Sequence, residues 1–575
     1  MSLTRWWKIG TVPLFCAFAF TAFLAWALWP DGGAGPSIQS RAAESVRSEG
    51  LAARVIASGD LPPEGTRSLF DHLIAQNESL PYPFEKLVAL VQAQDPEGRP
   101  PVALLIPRGR SLLKAQADFA RPRVLLAADA HAPNTAAALG VAARGQLFFG
   151  FVEDAAEIEV ISYNEAAGRF EFQLVQDYRE GGVPRIVYAR RAVCTTCHQG
   201  GAPIFPQRPW SETNAQPAIA ARISDARGPA PYMTVPVAVP LAVPERFDEL
   251  TDVGNFIPVA QRIWLDGCGE GAGGRACRRE MLRLAVDFAI EPGAFDGGTV
   301  AGKLRELQAA AWPAGGIGVP DGDLRNRDPL AERPSTRAWL RDLVSRALPE
   351  RTPRSNEDLD QFERLPKLPP ELDPVQPRAP KRVLTAAVFD GVFALAQFFT
   401  PADARLIEQH AADREARARA VARIPDAEFD GAPFARVRLL NALLVALRQP
   451  PRAYALLDTR LMSPPQALGV PPLELAEGSV LQPYARYCFA CHRGNPSARL
   501  DFMSGADEAA VLENLRTQDK VREVLDWERY RGTDKAATLM PPADSHQHRE
   551  LQAALVDQPQ LLEEMRKVVP ALFDF

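Results

Sequence analysis

The chain has 575 residues, enough for three or four domains at about 150 residues each. With 46% apolar and 24% charged residues it has a globular composition, neither disordered nor fibrous. A formal net charge of −6 argues against a nucleic-acid partner, and seven cysteines are too few for a disulfide scaffold of this length.

In chain order, Arg5 and Lys8 precede an uncharged run whose apolar part, Ile9–Trp29, reaches the roughly 20 residues needed to span a hydrocarbon core. Trp6 and Trp7 at one end and Trp26 and Trp29 at the other suit an aromatic belt. Residues 1–30 therefore read as a membrane anchor that leaves the rest of the chain translocated. The expected location is a bacterial inner membrane facing the periplasm. The alternative is a cleaved signal, because Ala25-Trp26-Ala27 resembles a small-residue cleavage site, and the product would then be soluble in the periplasm. Residues 31–60 are small and polar and read as a tether.

The expected fold class is α+β and multidomain. Residues 61–225 form a β-containing domain. Within it, 146–189 predict a β-meander: QLFFGFV, EIEVISY, a turn at NEAAG, then RFEFQLVQ with Phe170, Phe172 and Leu174 on one face, a turn at EGGVP, and RIVYA. Residues 226–364 read as mostly helical, with apolar stripes over 277–290 and 335–348, although proline punctuation makes 229–244 extended. Residues 365–380 form a proline-rich linker and 381–471 a second helical region. In that region 381–399 and 435–448 are apolar helical stretches, and Thr400-Pro401 opens a charged helix. Residues 472–575 form the last, all-α unit.

Two pentapeptides carry the chemistry: Cys194-Thr195-Thr196-Cys197-His198 and Cys488-Phe489-Ala490-Cys491-His492. C-x-x-C-H is the covalent attachment pattern of a c-type haem. Two thiols separated by two residues can each add to one of the neighbouring vinyl groups of a porphyrin, and the next residue turns its imidazole under the ring to ligate iron. A redox C-x-x-C gives no role to the trailing histidine, and a zinc site needs four ligands with closed geometry. The reading is two covalent haem c groups, with Cys194, Cys197, Cys488 and Cys491 binding the cofactors and His198 and His492 ligating iron.

Downstream of His492, Met540-Pro541-Pro542 is a stiff segment that can hold a thioether over the open face of the iron. Together with the helix SVLQPYARY, the CFACH motif and the closing helix LLEEMRKVV, it makes residues 472–575 resemble a class I cytochrome c domain. The resemblance implies His492 as proximal and Met540 as distal ligand, a pairing that raises the reduction potential and suits electron transfer. His546 and His548 are competing ligands, and Pro559 interrupts the closing helix.

The first site is less complete. Gln199-Gly200-Gly201 follows the motif, and Phe205 and Trp210 can pack on a flat ring. Met233 is the candidate distal ligand, with His72, His131 and Met281 as alternatives, and an empty sixth position is the further alternative. Cys268 and Cys277 flank a glycine-rich loop and are expected to form a disulfide in an oxidising compartment. Asp321 to Asp328 has calcium-loop-like spacing but lacks the closing glutamate and reads as a polar turn. His410 falls on the solvated face of a charged helix.

The expected function is single-electron transfer by a membrane-tethered, periplasmic di-haem cytochrome with redox-protein partners and no nucleic acid. The alternative is a di-haem oxidoreductase in which the C-terminal haem feeds an open or weakly ligated first haem. That logic resembles bacterial di-haem cytochrome c peroxidases.

Overall fold

The computed structural model describes residues 62–569, apart from 64–65, 77–79, 96, 108–116, 131–137, 140–142, 190, 206–211, 295–301, 323–358, 361–364, 367–377, 386–394, 397, 455–472, 494–501, 534–535, 537 and 542–544. The anchor and tether, His131, Trp210, Asp323–Asp328 and the stripe over 335–348 lie outside the described residues. Among the described residues no helix is long and apolar enough to cross a membrane.

The fold is mixed α+β around one six-stranded antiparallel sheet. Its strands are β1 (Val102–Ile106), β2 (Arg123–Ala127), β3 (Leu147–Val152), β4 (Glu157–Asn164), β5 (Arg169–Gln176) and β6 (Arg185–Tyr188). They lie side by side in chain order, so the sheet is an uninterrupted meander. The register pairs Phe149 with Val160, Ile161 with Phe172 and Leu174 with Val187. Strands β3 to β6 are those read from residues 146–189. Strands β1 and β2 complete the sheet on the other side.

Side chains alternate across the sheet, and both faces are apolar. On one face Phe148, Tyr163, Phe170, Phe172 and Leu174 join a large core. On the other, Leu147, Phe149, Phe151, Val160 and Val175 join a second core. The second face is covered by α1 (Leu69–Gln76), α2 (Phe84–Gln92) and, after the helix α3 (Arg191–Cys197), by α4 (Pro217–Arg227) through Ile219 and Ile223. A continuous apolar run such as LFFGFV is what a strand buried on both faces requires.

The first face is covered by α5 (Ala242–Arg262), α6 (Gly271–Ile290), α7 (Gly302–Ala309), α8 (Pro401–His410), α9 (Arg414–Arg423) and α10 (Arg436–Ala446). Helix α5 presses close to the sheet at Gly254. A Cβ there would meet Pro203 Cγ at 2.6 Å and the Gly145 carbonyl oxygen at 2.8 Å. The helix ends in a π-turn, Ile263–Gly267, followed by Cys268, which is disulfide-bonded to Cys277 of α6 with Cα atoms 5.4 Å apart. Helix α8 starts at a capping box in which the Thr400 side chain accepts from the Asp403 N–H and the Asp403 carboxylate accepts from the Thr400 N–H. Helices α6 and α9 are joined by Arg417, whose fully buried guanidinium donates to Asp287 Oδ1 at 2.6 Å and Glu291 Oε1 at 2.8 Å.

Residues 382–384, expected to begin a helical region, form strand β8 (Arg382–Leu384), which pairs antiparallel with β7 (Ile317–Val319). Tertiary hydrogen bonds outweigh the local apolar run: Lys381 N–H donates to Val319 O at 3.0 Å, and Trp312 Nε1 donates to Leu384 O at 3.0 Å.

The C-terminal region packs on a third core running from Leu481 to Val569. It comprises α11 (Gln482–Tyr487), α12 (Phe489–His492), α13 (Glu508–Arg516), α14 (Asp519–Val524), α15 (Trp527–Tyr530), α16 (His546–Asp557) and α17 (Leu561–Val568). Tyr484 Oη donates to the Met565 carbonyl at 2.6 Å, tying α11 to α17. Pro559 lies between α16 and α17, which are separate helices.

Candidate haem-attachment sites

Each motif forms one helical turn. His198 N–H donates to Cys194 O, and His492 N–H donates to Cys488 O, both at 2.9 Å. Positions i, i+3 and i+4 share a helix face, so each turn presents two sulfurs and an imidazole on one side. All four cysteines are thiols outside any disulfide. That donor set and spacing fit a covalently held porphyrin, which brings its own equatorial ligands and asks one imidazole of each motif. Among the described residues no three His, Cys, Asp or Glu side chains converge to hold a bare metal ion.

The first turn, α3, follows directly from the edge strand β6. Arg191 fastens its start to β5 by donating to the Phe170 carbonyl and lying 3.6 Å from Glu171 Oε2, with its guanidinium over the Phe172 ring. Cys194 packs against the large core. The His198 ring leans on Phe172, centroids 5.5 Å apart, and meets Phe205 edge-on at 6.4 Å. Phe205 in turn contacts Phe247 at 5.1 Å and Phe148 at 5.6 Å. Burial pushes His198 down to about 4, with Arg123 and Arg378 adding to the shift and a hydrogen bond to the Ala202 backbone opposing it. After the motif the chain turns through Gly200 at φ 73°, where a Cβ would meet Pro320 Cγ at 3.0 Å.

Two cations near this site were not apparent from the sequence. Arg378, in the stretch read as a linker, sends its backbone N–H to Gln199 Oε1 at 3.0 Å and Nη2 to the Cys197 carbonyl at 3.4 Å. Arg123, on β2, is paired with Glu159 of β4 at 2.5 Å. Neither position carries a local motif, so only the strand register and the returning chain bring them in.

Among the described residues, the named sixth-ligand candidates make their recorded contacts elsewhere than at His198. Met233 sits in a tight turn closed by the Tyr232–Val235 bridge, with φ 50°, and packs on the core of the opposite sheet face. An extended segment was expected here, and the structure has a tight turn instead. His72 is on α1, which covers that same opposite face. The Met281 sulfur lies 3.4 Å from Cys268 Sγ and 3.9 Å from Gln308 Nε2, inside α6 packing.

At the second motif Cys488 is buried in the C-terminal core, and burial, with the neighbouring Cys491 thiol, pushes its thiol up. The His492 ring lies 4.4 Å from that of Phe502. Met540 is fixed through its backbone: its N–H donates to Val524 O at 2.9 Å, and its carbonyl accepts from Trp527 Nε1 at 2.9 Å. The preceding residue, Leu539, is buried in the same core as Cys488. His548 stacks on Trp527 at 4.3 Å and donates from Nδ1 to the Pro541 carbonyl at 2.8 Å, which occupies one of its two ring nitrogens. The His546 side chain lies outside the described residues. His410 ends α8 on its exposed side.

Compared with protein-family models, with curated proteins and with solved structures, the chain gives no match.

Proposed function

We propose that the protein is a di-haem c-type cytochrome that passes single electrons between redox-protein partners. It is exported and held at the bacterial inner membrane by residues 9–29. The observation that carries the reading is the repeated turn, Cys194-Cys197-His198 and Cys488-Cys491-His492, with thiols and imidazole on one helix face and each turn seated on its own apolar core. Bound haem supplies one-electron chemistry at iron, and the chain supplies burial, axial ligation and orientation.

In the C-terminal unit Met540 is the proposed sixth ligand. Its support is the pinned loop: Val524, Trp527 and the buried Leu539 hold the residue's backbone on the core that also contains Cys488. At the first site Arg123 and Arg378 place positive charge near His198, which suits the carboxylates of a haem edge.

The position of Met233 on the opposite sheet face favours a second reading, a di-haem oxidoreductase of peroxidase-like type with an open or weakly ligated first haem. Mass spectrometry and pyridine haemochrome spectra of the matured protein test the common premise, which requires two covalent haems. A colourless protein without added mass overturns it. In a Cys488→Ser/Cys491→Ser variant the remaining haem is high-spin and binds carbon monoxide under the second reading, and is low-spin and inert under the first.

A further inference from the structure

The two attachment turns lie far apart in sequence and on different cores, yet they meet. Helix α3 and helix α12 approach with Cα atoms within 8 Å of one another. Both motifs sit at the rim of their own unit. Cys194 and Cys197 are half-buried on the first, and Cys491 and His492 are half-buried on the second. The approach is therefore between two short helices, one carrying Cys194 and Cys197 and the other carrying Cys491 and His492.

A thioether link is only a few bonds long. It holds the vinyl-bearing edge of a porphyrin beside the helix that supplies the cysteines, so two such helices in contact bring two such edges together. Arg378 reinforces the arrangement on one side by bonding the Cys197 carbonyl, the C-terminal end of α3.

Resting on the haem reading above, we infer that the α3–α12 contact makes the two haems neighbours, so that they behave as one coupled pair rather than as two independent centres. Held by Cys194, Cys197 and His198 and by Cys488, Cys491 and His492, two such haems would supply one-electron chemistry in which one iron is oxidised as the other is reduced. One electron crosses and no bond forms or breaks. The reductant and the oxidant are the redox-protein partners already proposed. This arrangement gives the large first unit and the C-terminal unit a joint role, because an electron accepted by either is available to the other without a diffusing carrier.

The test uses the full-length matured protein, after haem counting has established two haems per chain. In the fully oxidised protein, paramagnetic resonance of the C-terminal haem is expected to show fast relaxation and dipolar broadening. Both should be lost in a Cys194→Ser/Cys197→Ser variant that keeps the second haem. A variant that fails to fold leaves a measurement on the intact protein. After mixing with one electron equivalent of dithionite, redistribution between the two haem absorption bands is expected at a rate independent of protein concentration. A rate that scales with protein concentration, or an oxidised spectrum equal to the sum of two isolated haems, overturns the inference and leaves the di-haem reading intact. A protein without haem overturns both.

Discussion

Trp527 holds Met540 by its backbone: the indole N–H donates to the methionine carbonyl at 2.9 Å, while the other side of the indole is covered by the stacked ring of His548. This single donor links a core aromatic to the one residue that the proposed second haem needs on its far face. Trp527→Phe keeps most of the apolar area and removes the N–H. It is expected to cost about 1 kcal/mol in urea unfolding and to loosen methionine ligation. Met540→Ala is expected to lower the reduction potential of the C-terminal haem, because thioether ligation raises it. Redox titration of the two variants beside the parent reads both effects. An unchanged potential in Met540→Ala removes Met540 from the ligand set.

Arg417 is fully buried between Asp287 and Glu291. Arg417→Ala strips the buried Asp287 carboxylate of its donor at Oδ1 and leaves it only Arg283, 3.1 Å from Oδ2, which is expected to cost about 3 kcal/mol. Replacing Arg417 with Met and Asp287 with Leu together removes both charges and is expected to recover much of that loss. Chemical denaturation of the single and double variants checks the ordering, and an exposed-pair value near zero for Arg417→Ala would contradict the burial argument.

Glu159 carries a pH signature. Burial, aided by Glu157 and opposed by Arg123, raises its pKa from 4.5 to about 7. The folded protein therefore holds this proton more tightly than the unfolded chain. Its contribution to stability is greatest below about 4.5, falls as pH rises to about 7, and is level above that. Glu159→Gln is expected to flatten that part of the stability profile. Thermal melts at a series of pH values, compared between parent and variant, provide the check.

Cys268 and Cys277 close a short loop between the end of α5 and the start of α6, and both are buried. Replacing both with serine is expected to lower stability by about 2–3 kcal/mol through the greater freedom of the unfolded chain. Because both sulfurs are buried, mild reductant should leave the folded protein unaffected, and a double-serine variant melting at the parent temperature would show that the bridge contributes nothing.

Much of the fold was legible where one signal acted alone. Strict alternation at Phe170, Phe172 and Leu174 marks a strand whose neighbours lie a turn away, and four consecutive strands followed from it. The Thr400-Pro401 start of α8 was readable because capping is local. Strands β1 and β2 were not read, since VALLI and RVLLA are short apolar runs without a period to assign them. The two CxxCH motifs were evident from spacing alone. Arg123, Arg378 and Trp527 were not, because each reaches its site by tertiary packing. Met233 packs on the second core, whereas Phe172, on which the His198 ring leans, belongs to the first, a separation that nearness in sequence does not reveal.

Strand β6 ends at Tyr188, and α3 begins at Arg191. Strands β1 to β5 therefore all precede the first pair of thiols in the chain. With β6 paired to β5 and Arg191 donating to the Phe170 carbonyl, the edge of the sheet fixes where the first motif starts and holds its turn beside Phe172. On the haem reading proposed above, the geometry of the first attachment turn is thus inherited from the meander that precedes it. A change that loosens the last strand would then be felt at the motif, although that strand lies outside it.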